Sequence, residues 1–243
     1  MSKKSSAASK GYREYRPKKK TMSEREKRTM IIGLVAFFVI VIGVIVGVKI
    51  YEDRGLLKVK DNVIQGVEDT WIVKNTGTNS EPRVFKMAEM TAPLEGYTLD
   101  APDRDIMQTQ FSFYNADDED APVEQYYVGV ANGNYDEAPE NTYSAMASFG
   151  NIIDRSEITY DEIAGIKVGY YSQSYSMDQS EAQDGSDVHY YQYLNAYFES
   201  NFKGYSILIS VGGEVDDEDS MVSDEELLNV LEAAAANLVI SPR

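Results

Sequence analysis

The chain is rich in carboxylates and phenols and poor in everything else that performs catalysis: among 243 residues it has forty Asp and Glu, eighteen Tyr, one His and no Cys. Without cysteine there is no thiol nucleophile, thiolate metal site or disulfide, so packing alone must hold the fold. The single histidine, His189, has no Gly-x-Ser-x-Gly turn to present a serine partner. At the head of a strand rich in aromatics, it is expected to be a neutral structural residue. Lys74, Lys86, Lys167 and Lys203 could each activate a serine, but no spacing singles out a pair. No catalytic residue and no cofactor is expected.

Most carboxylates stand in runs that solvent would cover, whereas a general acid needs an apolar pocket to raise its pKa. Two runs, Asp117-Asp118-Glu119-Asp120 and Asp216-Asp217-Glu218-Asp219, offer hard oxygen ligands, and Asp216, Asp217 and Asp219 are the candidate metal ligands. Neither run has the spaced Asp-x-Asp-x-Asp-Gly form of a calcium loop, and Asp184-Gly185 lacks the preceding acids. Exposed acidic turns are the simpler reading. Sixteen of the tyrosines lie beyond residue 50, and an amphipathic ring suits the gripping of a peptide or glycan. Tyr170, Tyr171 and Tyr175 beside Tyr191, Tyr193 and Tyr197 mark the candidate surface, with Tyr171, Tyr193 and Tyr197 as candidate partner-binding residues. The competing reading has tyrosine filling a two-sided sheet.

These side chains sit on aromatic and β-branched runs that predict strands at 70–73, 83–90, 110–114, 125–131, 166–175, 188–198 and 205–211. The polar connector Glu199-Ser200-Asn201-Phe202-Lys203-Gly204 predicts an antiparallel hairpin from the last two. Ser223-Asp224-Glu225-Glu226 is a capping box, after which Leu227, Leu228, Leu231, Ala234, Ala235 and Leu238 define the apolar face of a helix. A shorter helix is expected over 140–149, with Pro139 in its first turn and Tyr143, Met146, Ala147 and Gly150 on one side. Strand 188–198 shows Tyr191, Tyr193 and Tyr197 on one face and Tyr190, Leu194, Ala196 and Phe198 on the other. With neither face wet, the fold class expected is α+β: an antiparallel sheet flanked by helices, an α-β-α sandwich.

This order of elements, with the runs Glu162-Ile163-Ala164-Gly165-Ile166, Tyr205-Ser206-Ile207-Leu208-Ile209 and Ser223-Asp224-Glu225-Glu226-Leu227-Leu228, resembles the Mog1/PsbP-like family over residues 71–240. The resemblance implies the sandwich fold. The family spans photosystem accessory proteins, a nuclear transport factor and many bacterial envelope proteins without a shared catalytic motif, so no functional residue follows from it.

Upstream lies a different kind of segment. Residues 31–48 are uncharged and almost wholly aliphatic, long enough as a helix to cross about 27 Å of hydrocarbon, and are expected to cross the bilayer as part of an anchor over 30–50. A cleaved signal peptide would have a shorter apolar region and a small-x-small exit, but this run leaves through Val48-Lys49-Ile50-Tyr51. Residues 1–29 hold eleven Lys and Arg against three Glu, a net charge of +8. Residues 49–243 hold twelve basic against thirty-seven acidic groups, a net charge of −25.

The positive-inside rule therefore places the N-terminus in the cytoplasm and the acidic part outside it, as a single-pass type II protein. A disordered basic tail (1–29) would rest on anionic inner-leaflet lipid, a stalk (51–66) would follow the anchor, and an extracytoplasmic domain (67–243) would complete the chain. That domain's charge argues against nucleic acid. Twelve Asn beyond the anchor, none in a glycosylation sequon, lean towards a bacterial envelope. The function expected is an interaction module for an envelope protein or polymer; an envelope hydrolase with an unrecognised active site is the alternative.

Overall fold

The computed structural model describes residues 22–100, 110–115, 123–146, 151–178 and 188–242. The acidic run 117–120, Asp184-Gly185 and most of the basic tail lie outside the described residues. Helix α1, Glu24–Glu52, is 29 residues long with no buried side chain. Its apolar stretch has a mean hydropathy of 3.2 and is long and apolar enough to cross a membrane. Its start is fixed by a capping box: Glu26 N donates to Ser23 Oγ at 3.3 Å and Ser23 N donates to Glu26 Oε2 at 2.8 Å. From Asp53 onward the chain forms a second compact unit.

That unit opens on β1 (Leu56–Lys60) and β2 (Val63–Gln65), an antiparallel hairpin. Its turn residues Asp61 and Asn62 have φ of 53° and 63°, the left-handed pair that a two-residue turn between twisted strands requires. The expected stalk is thus corrected. Ile64 of this hairpin packs with Val73 and Val84, with Leu57 and Val59 beside them, and β1 pairs with β4 (Val84–Met90). Strand β3 (Trp71–Asn75) also pairs with β4, completing with β13 (Leu238–Ile240) a small five-stranded sheet.

The larger sheet has eight antiparallel strands: β5 (Thr98–Leu99), β6 (Gln110–Tyr114), β7 (Gln125–Asn132), β8 (Asn151–Arg155), β9 (Thr159–Ile163), β10 (Ile166–Asp178), β11 (Val188–Glu199) and β12 (Tyr205–Val215). They run in the order β5-β6-β7-β12-β11-β10-β8, with β9 also on β10. The expected β11–β12 hairpin is present, paired from Tyr190↔Val215 to Glu199↔Ser206. Its connector holds Phe202, which is buried and lies 5.9 Å from the Phe85 ring.

Alternation along β11 sends Leu194, Ala196 and Phe198 into the main core and Tyr197 to the opposite side. The main core is closed by α3 (Asp224–Ala235) through Leu227, Leu231 and Ala234, and by Ile72, Met87 and Met90 of the small sheet. On the other face α2 (Ala138–Met146) covers Tyr171 and Tyr197 through Ala138 and Tyr143. One helix therefore lies on each face of the large sheet, the α+β sandwich expected, with a second sheet added. Both halves of the Ser223–Glu226 capping box form. The Glu226 carboxyl is held below its ordinary pKa by the Ser223 backbone N–H and then by its hydroxyl. The helix stops at Ala235, so Leu238 does not extend its stripe but begins β13, opposite Met90.

Leu231 has 0% exposure, whereas Glu232 points to solvent. Leu231→Ala should cost about 2–5 kcal/mol, and Leu231→Asp should unfold the domain by burying an unpaired charge. Glu232→Lys should be nearly silent. Thermal denaturation of residues 53–243 checks this, since each kcal/mol moves Tm by roughly 2–4 °C at this size; equal melting of all three variants would contradict the packing.

Candidate functional site

A cleft of about 940 Å³ opens where β7 and β11 begin and β12 ends, lined by Gln125, His189, Gln192, Glu214, Asp216 and Ser220 among others. Two glycines shape its floor. Gly212 has φ +117°, and a Cβ there would lie 2.1 Å from Gln192 O; a Cβ on Gly213 would lie 2.2 Å from Gln125 Nε2. A side chain at Gly212 would collide with the Gln192 backbone, whereas one at Gly213 would displace the Gln125 amide. The far wall is tied down by Gln192, whose Nε2 donates to Val222 O at 2.7 Å while its Oε1 accepts from Val222 N at 2.9 Å. That amide stands in for a neighbouring backbone and holds the segment before α3 against the sheet.

At the rim, His189 Nδ1 pairs with Glu214 Oε1. Such a carboxylate fixes the orientation of the ring and selects its tautomer. Ser220 lines the same cleft, but its hydroxyl donates to Asp217 Oδ1 at 2.8 Å. The cleft thus contains an imidazole, a carboxylate and a hydroxyl that are not in series. Among the described residues its lining includes Glu124, Glu214 and Asp216 and no Lys or Arg, so that lining is negative.

The candidate metal ligands are not brought together. Asp216 lines the cleft, while Asp217 caps a single 3-10 turn at Glu218–Ser220, accepting from Ser220 N at 2.9 Å. Among the described residues no three His, Asp or Glu side chains gather as a cation would require.

The tyrosines divide into two groups. Tyr171 and Tyr197, expected to be surface anchors, are 0% and 2% exposed and belong to the core beneath α2. The reason lies in Gly169, where a Cβ would be 2.6 Å from Tyr135 O and 2.9 Å from Pro139 Cγ: its lack of a side chain lets the start of α2 settle onto the sheet. Tyr143 meets Tyr171 edge-on at 5.2 Å, and the Arg155 guanidinium sits 3.4 Å from the Tyr143 ring centre while donating to Tyr143 O. Tyr193 is half-buried. It stacks with Tyr191 at 6.5 Å, and Tyr191 with Tyr175 at 5.2 Å. Loss of hydration pushes the phenols of Tyr171, Tyr193 and Tyr197 upward.

Glu214, Gln192 and Gln125 escape sequence reasoning, because an expected strand ending at Val211 stops one residue short of the feature that builds the cleft. The signal is Gly212-Gly213 itself: paired glycines following an aliphatic strand mark a close backbone approach.

No protein-family model matches the chain, and no curated protein sequence does. Among solved structures, Mog1p is similar. This Ran-binding protein of Saccharomyces cerevisiae has 10% identity, covers 70% of this chain and 96% of its own, and has a TM-score of 0.41. A protein of Bacteroides thetaiotaomicron VPI-5482 has 15% identity over 64% of this chain, which spans 46% of that one, with a TM-score of 0.36. The likeness is in the course of the chain, and no residue role is taken from either protein.

Buried phenols make alkaline stability a test of the two-sided core. Tyr126, stacked on Phe113 at 4.7 Å, is pushed up to about 12 by burial, against the Leu94 N–H that its oxygen accepts at 3.2 Å. A phenol raised in the folded state binds its proton more tightly than the unfolded chain does. Its contribution is therefore complete below the ordinary value near 10 and is lost as pH climbs through 12. Urea denaturation of residues 53–243 should show stability level from pH 8 to about 9.5 and falling from 10 to 12. The phenolate absorbance of the buried tyrosines should rise with unfolding rather than before it; free titration of all tyrosines near pH 10 in the folded domain would contradict the burial.

Proposed function

We propose that this protein is a single-pass, membrane-anchored interaction module whose acidic domain lies outside the cytoplasm of a bacterial cell and binds an envelope protein or polymer in the cleft between β7, β11 and β12. The cleft carries this reading. It is braced by Gln192 and by the close backbone approach at Gly212, and among the described residues it presents amides, carboxylates and an imidazole without a nucleophile bonded to that imidazole. Braced polar walls favour recognition because little ordering is needed on binding. Orientation is supported by the charge of +8 before the apolar helix and −25 after it, and the basic tail is suited to anionic inner-leaflet lipid.

Protease added to spheroplasts is expected to digest residues 53–243 and leave an anchor-sized fragment; survival of the acidic domain would reverse the orientation. For the cleft, a photoreactive residue replacing Gln125 in the full-length protein in its own membranes should yield an adduct that the same probe at exposed Lys203 does not. Glu214→Gln with Asp216→Asn should lower that yield at least fivefold at unchanged Tm, and equal adducts from both positions would overturn the assignment. A hydrolase is the second reading, favoured by the His189–Glu214 pair in a cleft that also holds Ser220. It takes first place if His189→Gln abolishes cellular function while stability and adduct yield are unchanged.

A further inference from the structure

A separate surface lies at the end of the large sheet, where β8 is the last strand and pairs with β10 alone among the described residues. Four of its five residues are exposed, including Ile152 at 37% and Ile153 at 39%. Edge strands of soluble proteins are normally blunted by proline, by lysine or by extreme shortness, because a row of free N–H and C=O groups templates another strand. The opposite edge, β5, is two residues long, and β9 carries exposed Asp161 and Glu162. Strand β8 has a single carboxylate, Asp154, beside two adjacent isoleucines. A register shift separates Asp154↔Ser174 from Ile152↔Tyr175 and leaves Ile153 as the extra residue, which kinks the strand. Such a kink discourages endless sheet stacking and still leaves one short docking edge.

We infer that β8 is a docking edge for an extended, basic segment of a partner protein, which adds to the large sheet as a further strand. Charge selects the occupant. Beyond Ile153 the chain exposes Asp154, Glu157, Asp161 and Glu162, of which Asp154 and Asp161 each also accept the next residue's backbone N–H at 2.8 Å, while the cation within this stretch, Arg155, is engaged over the Tyr143 ring and bonded to Tyr143 O. A second copy of this chain would bring the same carboxylates on a domain of net charge −25, whereas a strand alternating apolar and Lys or Arg residues would cover the isoleucines and meet the acids. None of the cleft-lining residues belongs to β8, so the inference does not depend on the cleft.

The test uses the full-length protein in nanodiscs and fluorescein-labelled octapeptides: alternating lysine–valine, alternating glutamate–valine, and a block peptide of four lysines followed by four valines. The alternating basic peptide is expected to bind at least tenfold more tightly than either other peptide. Ile153→Lys should weaken it tenfold or more, and so should Ile153→Pro, with Tm as the check that each variant is folded. Val239→Lys on another exposed strand should leave affinity within twofold. Equal binding of the alternating and block basic peptides, or indifference to Ile153→Lys in a folded protein, overturns the inference. So does concentration-dependent dimerisation through β8 without peptide binding.

Discussion

Strand β11 cannot be placed at a surface. From Leu194 to Phe198 five consecutive residues are buried, so in a structure whose side chains alternate in direction both faces of the sheet must be covered at that level. Each large apolar side chain removed from water there gains about 1.5–3 kcal/mol, and no single layer could collect both sets. The rest follows from this demand. The apolar stripe of α3 answers Leu194, Ala196 and Phe198; α2, seated over Gly169, answers Tyr171 and Tyr197. At the other end of the same strand nothing comparable is required, and the sheet opens into a polar cleft between His189 and Gln192.

The distribution of charge belongs to a different level of organisation. A domain of −25 is not stabilised by its surface carboxylates, which repel one another and are screened by salt. A field of that sign repels polyanions and attracts cations, most strongly at low ionic strength. Within that field, the cleft and the β8 edge differ in kind: one is polar and braced by the Gln192 amide, the other is a short, kinked edge strand with two exposed isoleucines.

The architecture was legible where a local rule acts alone. The Ser223–Glu226 cap, the β11–β12 hairpin and the two-faced character of strand 188–198 each follow from a few adjacent residues, and each stands in the structure. Legibility failed where the partner is distant in sequence. Leu238 keeps helical spacing with Leu231 and yet joins a strand, because β4 offers it a ladder that no local pattern reveals. Residues 56–65 look weakly patterned because β2 has only three residues and its core partners, Val73 and Val84, come later in the chain. Tyr171 and Tyr197 carry polar tips that suit a surface, and only the missing side chain at Gly169 tells that a helix lies over them. The cleft has no linear motif, since its amides, carboxylates and imidazole come from three strands and a loop.

The pairing of β13 with β4 has a consequence for how the molecule is made. Thr91 N donates to Asn237 O and Leu238 faces Met90, so residues 146 positions apart close one sheet. A contact between such remote parts of the chain carries a large loop-closure cost and is late to form. As a ribosome releases the chain, β4 emerges long before the strand that completes its neighbourhood, and Met87, Ala88 and Met90 must wait without their final cover. The domain thus reaches its native state only after residues 238–240 have been made, and until then β4 lacks one of its strand partners.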